Sequence, residues 1–435
     1  MGLGLKLGLQ LGSVLGGSSS LVNQFYTDDA MLNEYYTDDA MLNPLDTYGV
    51  QSAKYVSPAT NIISHDSETT IQRNMSRIVY INLKSAPITT ARVFYGTWLF
   101  NATSEYPTGK LEVRAGLEYP LGGTIYPLYS QQGSRDLFLA SNSEDYLEAT
   151  GINIPAGASF AIRTRAIAGT GGTIPKAYAN NLVFNGVAIQ GHAGTNDGAD
   201  FTLGGTQPTN SNTVYGPFAV CSYETTNKAK SFAIFGDSIY QGNIVGVSIA
   251  ELAIKNAGYG FLNLARSSAK LQTNTNPSRR ISLARLTGCT EVMMNYPVND
   301  LEASRSVAQI NADFTSLWTN LKTAGFSKIT QGTCFPRTTD ATDPSTPKAT
   351  PAGAYTGGAA SFRSLINEWM RSGISLGTAT TPDYIFEQSD ILETARDTGL
   401  WLNPTVNTTD GIHPSATGAT TVATAGTTFL QSKGY

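Results

Sequence analysis

Cysteine and histidine are scarce in this 435-residue chain, with three of each. Cys221, Cys289 and Cys334 are far apart, show no Cys-x-x-Cys spacing and make an odd total, so neither a zinc ribbon nor a disulfide framework is indicated and three buried thiols are expected. A metal-dependent hydrolase would need clustered His or carboxylate ligands, and the single histidine in 226–435, His413, argues against it, so no metal or other cofactor is expected. Charge is thin as well: 14% of residues, 29 basic against 33 acidic, net −4. That balance argues against a nucleic-acid groove or an anionic membrane as partner. No apolar run approaches the roughly 18 residues of a membrane span. Residues 1–17 resemble a signal peptide only superficially, because glycine at every second or third place makes a poor apolar helix and no A-x-A-like cleavage site follows.

Glycine (43) and tyrosine (21) are plentiful, a balance typical of extracellular or virion β-structure. Leu3, Leu5, Leu7, Leu9 and Leu11 share one parity, with glycine and polar residues on the other, which describes a strand with one apolar face. Such a strand needs a cover, from another chain or a larger assembly. The octapeptide Tyr26 to Asn33 returns at Tyr36 to Asn43. Two copies are too few for a solenoid and are read as short docking elements. Residues 1–50 are therefore expected to form an extended assembly anchor.

Residues 51–225 carry short alternating runs over 77–83, 91–95, 110–114, 159–163, 183–187 and 217–220, separated by Gly, Pro, Asn and Ser. They predict an antiparallel, jelly-roll-like β-sandwich, with Trp98 and the tyrosines either filling its core or offering stacking platforms for sugars. After a polar stretch over 224–230, residues 226–435 alternate strand and helix. Strands are expected over 231–235, 260–264, 290–295, 328–332 and 384–386, and helices over 245–257, 278–286, 304–324, 360–371 and from Pro414 onward. This order implies a parallel sheet covered by helices on both faces, with chemistry at the C-terminal strand ends.

Gly236-Asp237-Ser238 ends the first of those strands, where a sharp turn exposes a serine hydroxyl at the sheet's edge. Asp410-Gly411-Ile412-His413-Pro414 precedes the last expected helix. A carboxylate three residues before an imidazole can accept the ring's Nδ1–H while Nε2 faces the serine, and His413 is the only histidine in 226–435. Ser238, His413 and Asp410 are the expected nucleophile, base and orienter. A phosphate loop lacks its Lys-Ser/Thr, and a dinucleotide site lacks its Gly-x-Gly-x-x-Gly.

On Gly236-Asp237-Ser238, Asn299-Asp300 and Asp410-Gly411-Ile412-His413-Pro414, residues 231–435 resemble the SGNH/GDSL hydrolase superfamily. The resemblance implies a flavodoxin-like three-layer α/β/α domain and serine ester hydrolysis. It also implies that Asp237 supports the nucleophile's turn. The oxyanion would be held by the backbone N–H of Ser238, the backbone N–H of Ser268 and the side-chain amide of Asn299. Ser268 and Pro297 stand where the family has glycine.

A polar surface and the absence of a long apolar lid favour a carbohydrate O-acyl ester, acetyl above all, over a long-chain lipid. The N-terminal organisation resembles the anchor of a phage-like spike. The expected partners are a host or environmental polysaccharide, other virion proteins through residues 1–50, and further copies of this chain, a trimer being one arrangement. The expected location is the virion surface. The alternatives are a catalytically weak, glycan-binding spike and a secreted extracellular acetyl esterase.

Overall fold

In the computed structural model the described residues are 54–55, 66–68, 73–82, 86–169, 172–178, 189–194, 200–205, 213–222, 230–242, 247–339, 346–349, 351–373 and 380–435. The Leu-alternating segment, both copies of the repeat, the strand expected over 183–187 and most of the polar stretch, 224–229, lie outside them.

Strands β1 (Arg73–Ile81), β2 (Ile88–Gly96), β3 (Leu111–Glu118), β4 (Glu144–Ile154), β5 (Ser159–Ala168) and β6 (Ala219–Ser222) form the body of two antiparallel sheets. In one, β5 lies between β1 and β3; in the other, β2 lies between β4 and β6. Alternation decides which side chains go inward. Along β5, Phe160, Ile162, Thr164, Ala166 and Ala168 are buried, while Arg163 and Arg165 are half-buried on the opposite parity. Tyr95 of β2 meets Thr164 of β5 at 2.9 Å, a buried hydroxyl pair linking the two sheets. On β5's other face Arg163 sits opposite Arg77, a like-charge pairing that would be repulsive alone. Glu118 accepts hydrogen bonds from both, at 2.6 and 2.9 Å. Trp98 is fully buried, with Nε1 donating to Glu144, and offers no platform to a sugar.

Beyond β6 the pairing turns parallel. The chain runs β7 (Ser231–Gly236), α1 (Ser238–Gln241), α2 (Ile249–Asn256), β8 (Gly260–Asn263), α3 (Ser278–Leu286), β9 (Glu291–Asn295), α4 (Val298–Glu302), α5 (Val307–Thr323), β10 (Lys328–Gly332), α6 (Phe362–Gly373), β11 (Tyr384–Phe386) and α7 (Ala416–Ser432). The strands lie in the order β8-β7-β9-β10-β11, all parallel. After β8 the chain crosses β7 to form β9, so the switch point of the sheet falls at the C-terminal end of β7. Helix α7 packs on α2, and α5 on α6, where Trp318 and Trp369 stack at 5.4 Å.

Helix starts differ from the expected ones for local reasons. The helix expected from 304 begins at Val307, because Ser304 takes a left-handed φ of 59° and Ser306 forms a capping box with Gln309. The last helix begins at Ala416, two residues after Pro414, with the Ser415 hydroxyl accepting the Gly418 N–H at 3.0 Å. Helix α3 has no cap of its own. Glu105, from the hairpin Trp98–Phe100 and Glu105–Pro107, supplies one, accepting the N–H groups of Arg279 (2.8 Å) and Arg280 (3.2 Å) and the Arg280 side chain at 2.9 Å.

Candidate active site

Gly236 is where β7 must release the chain. A Cβ there would lie 2.8 Å from the Asn295 carbonyl oxygen on β9, and its φ of 155° is one that L side chains rarely adopt. Glycine is the residue that permits the turn. Asp237 then caps α1, its carboxylate accepting the Ile239 N–H at 3.0 Å. Burial pushes the Asp237 carboxyl up to about 7 against the pull of that hydrogen bond. Ser238 follows as the first residue of α1, so its N–H has no acceptor within the helix. Below it, Tyr240 donates to Gln388 at 2.9 Å, and the Gln388 amide donates to Asn295 Oδ1 and the Thr333 carbonyl, each at 2.8 Å. This buried network ties α1 to the ends of β9 and β10.

Ser238 Oγ lies 2.8 Å from His413 Nε2, and His413 Nδ1 lies 2.6 Å from Asp410 Oδ2. The segment holding Asp410 and His413 is clamped at several points. Asp410 Oδ1 accepts the N–H groups of Ile412 (2.8 Å) and His413 (2.7 Å). The Thr408 hydroxyl accepts the Gly411 N–H at 3.0 Å and donates to the His413 carbonyl at 2.8 Å. The Gly411 carbonyl accepts from the Thr338 N–H at 2.9 Å and from the indole of buried Trp401 at 3.1 Å. Burial alone would raise the Asp410 carboxyl, but the hydrogen bonds from His413 and Ile412 outweigh it and hold it down at about 2. An ionised Asp410 can only accept, so the ring proton sits on Nδ1 and the Nε2 lone pair faces Ser238.

Ser268 is exposed and adopts φ 65°, the left-handed conformation natural to glycine. Its neighbours are anchored to the nucleophile's turn: the Arg266 N–H donates to the Gly236 carbonyl at 2.9 Å and the Ser267 N–H to Gln241 Oε1 at 2.5 Å. Asn299, on α4, donates one amide hydrogen to the Ala269 carbonyl at 3.0 Å, leaving the other free of that bond. Asp300 beside it accepts the N–H groups of Leu271 and Gln272 at 2.7 and 3.0 Å, fixing the 266–272 stretch against α4. Pro297 directly precedes α4.

A small, mostly apolar depression adjoins Ser238 and His413, lined by Ile239, Gly242, Val247, Ile249, Pro414 and Ala419. It has room for little more than a water-sized group.

No family model and no curated protein matches the chain. Among solved structures, similarity is found to a GDSL-like lipase from Bacteroides thetaiotaomicron, at 14% identity over 47% of this chain and 89% of that one, with TM-score 0.35. It is found also to the lipase/acylhydrolase from Enterococcus faecalis, at 12% over 47% and 96%, TM-score 0.34. A peptidoglycan O-acetylesterase matches at 11% over 89% and 83%, TM-score 0.39.

Thr338, Trp401 and Thr408 were not among the expected site residues. Each acts on the His413 segment through a partner at least three residues away, a relation that carries no sequence signature. Gln388 escapes for the same reason, since its partners lie 55 to 148 residues off.

Proposed function

We propose that this chain is a serine ester hydrolase of the SGNH type, and that it removes short O-acyl groups, acetyl above all, from a polysaccharide. The observation that carries this reading is the continuous path from Ser238 Oγ through His413 to Asp410, at 2.8 and 2.6 Å. His413 Nε2 takes the Ser238 proton as Oγ attacks the ester carbonyl; the resulting imidazolium returns that proton to the leaving sugar hydroxyl. Asp410, ionised throughout, orients the ring and stabilises its positive charge. The N–H groups of Ser238 and Ser268 and the unused amide hydrogen of Asn299 hold the oxyanion. Water, activated by His413, then releases the acyl group and restores Ser238. The small apolar depression beside Ser238 suits the methyl of an acetyl group and disfavours a long chain.

The larger architecture in this reading is a flavodoxin-like three-layer domain over 226–435, behind a jelly-roll-like sandwich over 51–225. It is supported by the strand order β8-β7-β9-β10-β11 and by the two antiparallel sheets sharing the Tyr95 to Thr164 contact. Residues 1–50, with their alternating leucines and repeated octapeptide, would seat the chain in a virion spike as an oligomer that meets host polysaccharide. The second reading, a glycan-binding spike with weak catalysis, is favoured by Ser268 holding a glycine-type backbone in the oxyanion region.

The test is release of acetate from an O-acetylated polysaccharide and from 4-nitrophenyl acetate, comparing the protein with Ser238→Ala. Loss of the nucleophile is expected to lower turnover by about 10³-fold or more. Equal, near-background rates for the two proteins would refute the hydrolase and leave the glycan-binding reading.

A further inference from the structure

The Ser267 and Ala269 N–H groups are both bonded, to Gln241 Oε1 and the Arg266 carbonyl, while the Ser268 N–H between them has no hydrogen-bond partner among the described residues. The stretch that carries it is tied to side chains on either side. The Leu264 carbonyl accepts from Arg280 at 3.4 Å, and the Lys270 carbonyl accepts from Asn274 at 2.5 Å. Arg280 and Asn274 are joined in turn, the guanidinium donating to Asn274 Oδ1 at 2.5 Å. Both side chains are buried.

Neither of them is completed by the parallel half of the molecule. Arg280 donates to Glu105 at 2.9 Å and lies 3.7 Å over the Phe100 ring. Asn274 also donates to the Ala102 carbonyl, at 3.3 Å. Phe100, Ala102 and Glu105 all come from the hairpin Trp98–Phe100 and Glu105–Pro107 and its turn, which lies between β2 and β3 in the chain. Among the described residues Glu105 is the only carboxylate paired with Arg280, and a buried guanidinium keeps its place through its counter-charge. The hairpin turn is itself fixed. Asn101 Oδ1 accepts the N–H groups of Thr103 and Ser104, each at 3.1 Å, and Ala102 holds a φ of 81°. A left-handed backbone on a residue bearing a Cβ persists where its surroundings over-determine it. Ala102 and Ser268 are two such residues, and Asn274 links the carbonyl of one to the stretch that carries the other.

We propose that this hairpin is a working part of the ester-cleaving site, with Glu105 and Asn274 as positioning residues that, with Arg280, aim the Ser268 N–H at the oxyanion. This rests on the hydrolase reading above. A donor displaced by about an ångström loses much of its effect on the transition state, while substrate binding in the ground state is little changed. The antiparallel sheets and the parallel sheet are then not separable modules, because the oxyanion side of the site is set from the hairpin.

The experiment uses the full chain, with 4-nitrophenyl acetate, well below the Tm of every variant. Glu105→Ala and Asn274→Ala are each expected to lower kcat about 10- to 100-fold, with KM changed less than about threefold. The double variant should fall little further than the worse single one, because both changes cut one path. Glu105→Gln keeps an acceptor for the N-terminus of α3 but weakens the hold on Arg280, and should show the same loss in smaller measure. Glu118→Gln is the control: it unsettles Arg77 and Arg163 instead, and should lower Tm while leaving kcat within about twofold. Loss of Tm without loss of kcat at Glu105 and Asn274, a loss falling mainly on KM, additive losses in the double variant, or an equal loss in Glu118→Gln would overturn the proposal. Hydrogen exchange separates this outcome from failure of the hydrolase reading. In Glu105→Ala the bonded amides of Ala269, Leu271 and Gln272 should exchange about tenfold faster or more, while those of Ile412 and His413 keep their protection. That pattern in a protein that cleaves no ester would remove the hydrolase and keep the hairpin's hold on this stretch. Unchanged exchange over 264–274 would remove the positioning role and leave the hydrolase standing.

Discussion

Ser268 holds a left-handed backbone at φ 65°, which costs a residue bearing a Cβ about 1–2 kcal/mol. Glycine would relieve that strain but lose more chain entropy on folding. Ser268→Gly is therefore expected to change stability by less than about 1 kcal/mol, and to leave acetyl-ester turnover equal or a few-fold higher. A tenfold fall in turnover would mean that the hydroxyl itself is used. At this scale the residues that meet around Ser238 were legible where chemistry and local spacing coincide. Gly236-Asp237-Ser238 closes an apolar run, and Asp410 stands three residues before the only histidine of 226–435. Trp401 was silent, since an indole bonded to the Gly411 carbonyl looks in sequence like any core tryptophan.

Elements were legible wherever their own residues determine them. The β9, β10 and β11 strands are short buried runs, and Ser306 with Gln309 signals the start of α5. They were missed where the stabilising group comes from elsewhere. Strand β4, with its exposed Thr150, Gly151 and Asn153, lacks clean alternation and is held by pairing with β2. Helix α3 was expected over 278–286 and is found at Ser278–Leu286, but its N-terminal cap, which its own residues do not supply, comes from Glu105, some 174 residues earlier; the same carboxylate neutralises Arg280, whose guanidinium lies 3.7 Å over the Phe100 ring. Glu105→Ala removes the cap and strands a buried cation. We expect it to lower the free energy of unfolding by about 2–4 kcal/mol, read from urea denaturation. A change under about 0.5 kcal/mol would mean that solvent replaces Glu105 at no cost.

For the whole molecule, buried carboxyls set the response to pH. Burial raises Asp237 and Glu291 to about 7 and Asp300 to about 6. An acid raised on folding binds its proton more tightly in the folded state. Its contribution is complete below the unfolded pKa of about 4 and is lost as pH climbs through the folded value. Asp410 and Glu118 run the other way. Both are held at about 2 by hydrogen bonds that outweigh burial, those to Glu118 coming from Arg77, Gly122 and Arg163, and their contribution is lost as pH falls from about 4 toward 2. Thermal denaturation should therefore give the highest Tm near pH 4–5 and a lower one at pH 8. A Tm that climbs steadily from pH 5 to 8 would contradict these carboxyl environments.

The two atoms that meet at 2.8 Å in the site belong to residues 175 positions apart. During synthesis the serine, its turn and the central strand leave the ribosome long before the histidine is made. On the proposed mechanism this imposes a built-in delay: a nascent chain, or one clipped by a protease before residue 410, presents a hydroxyl with no base to activate it. Joining separately produced segments cut between β10 and α6 would turn the proposed ester cleavage into a direct reporter of their reassembly.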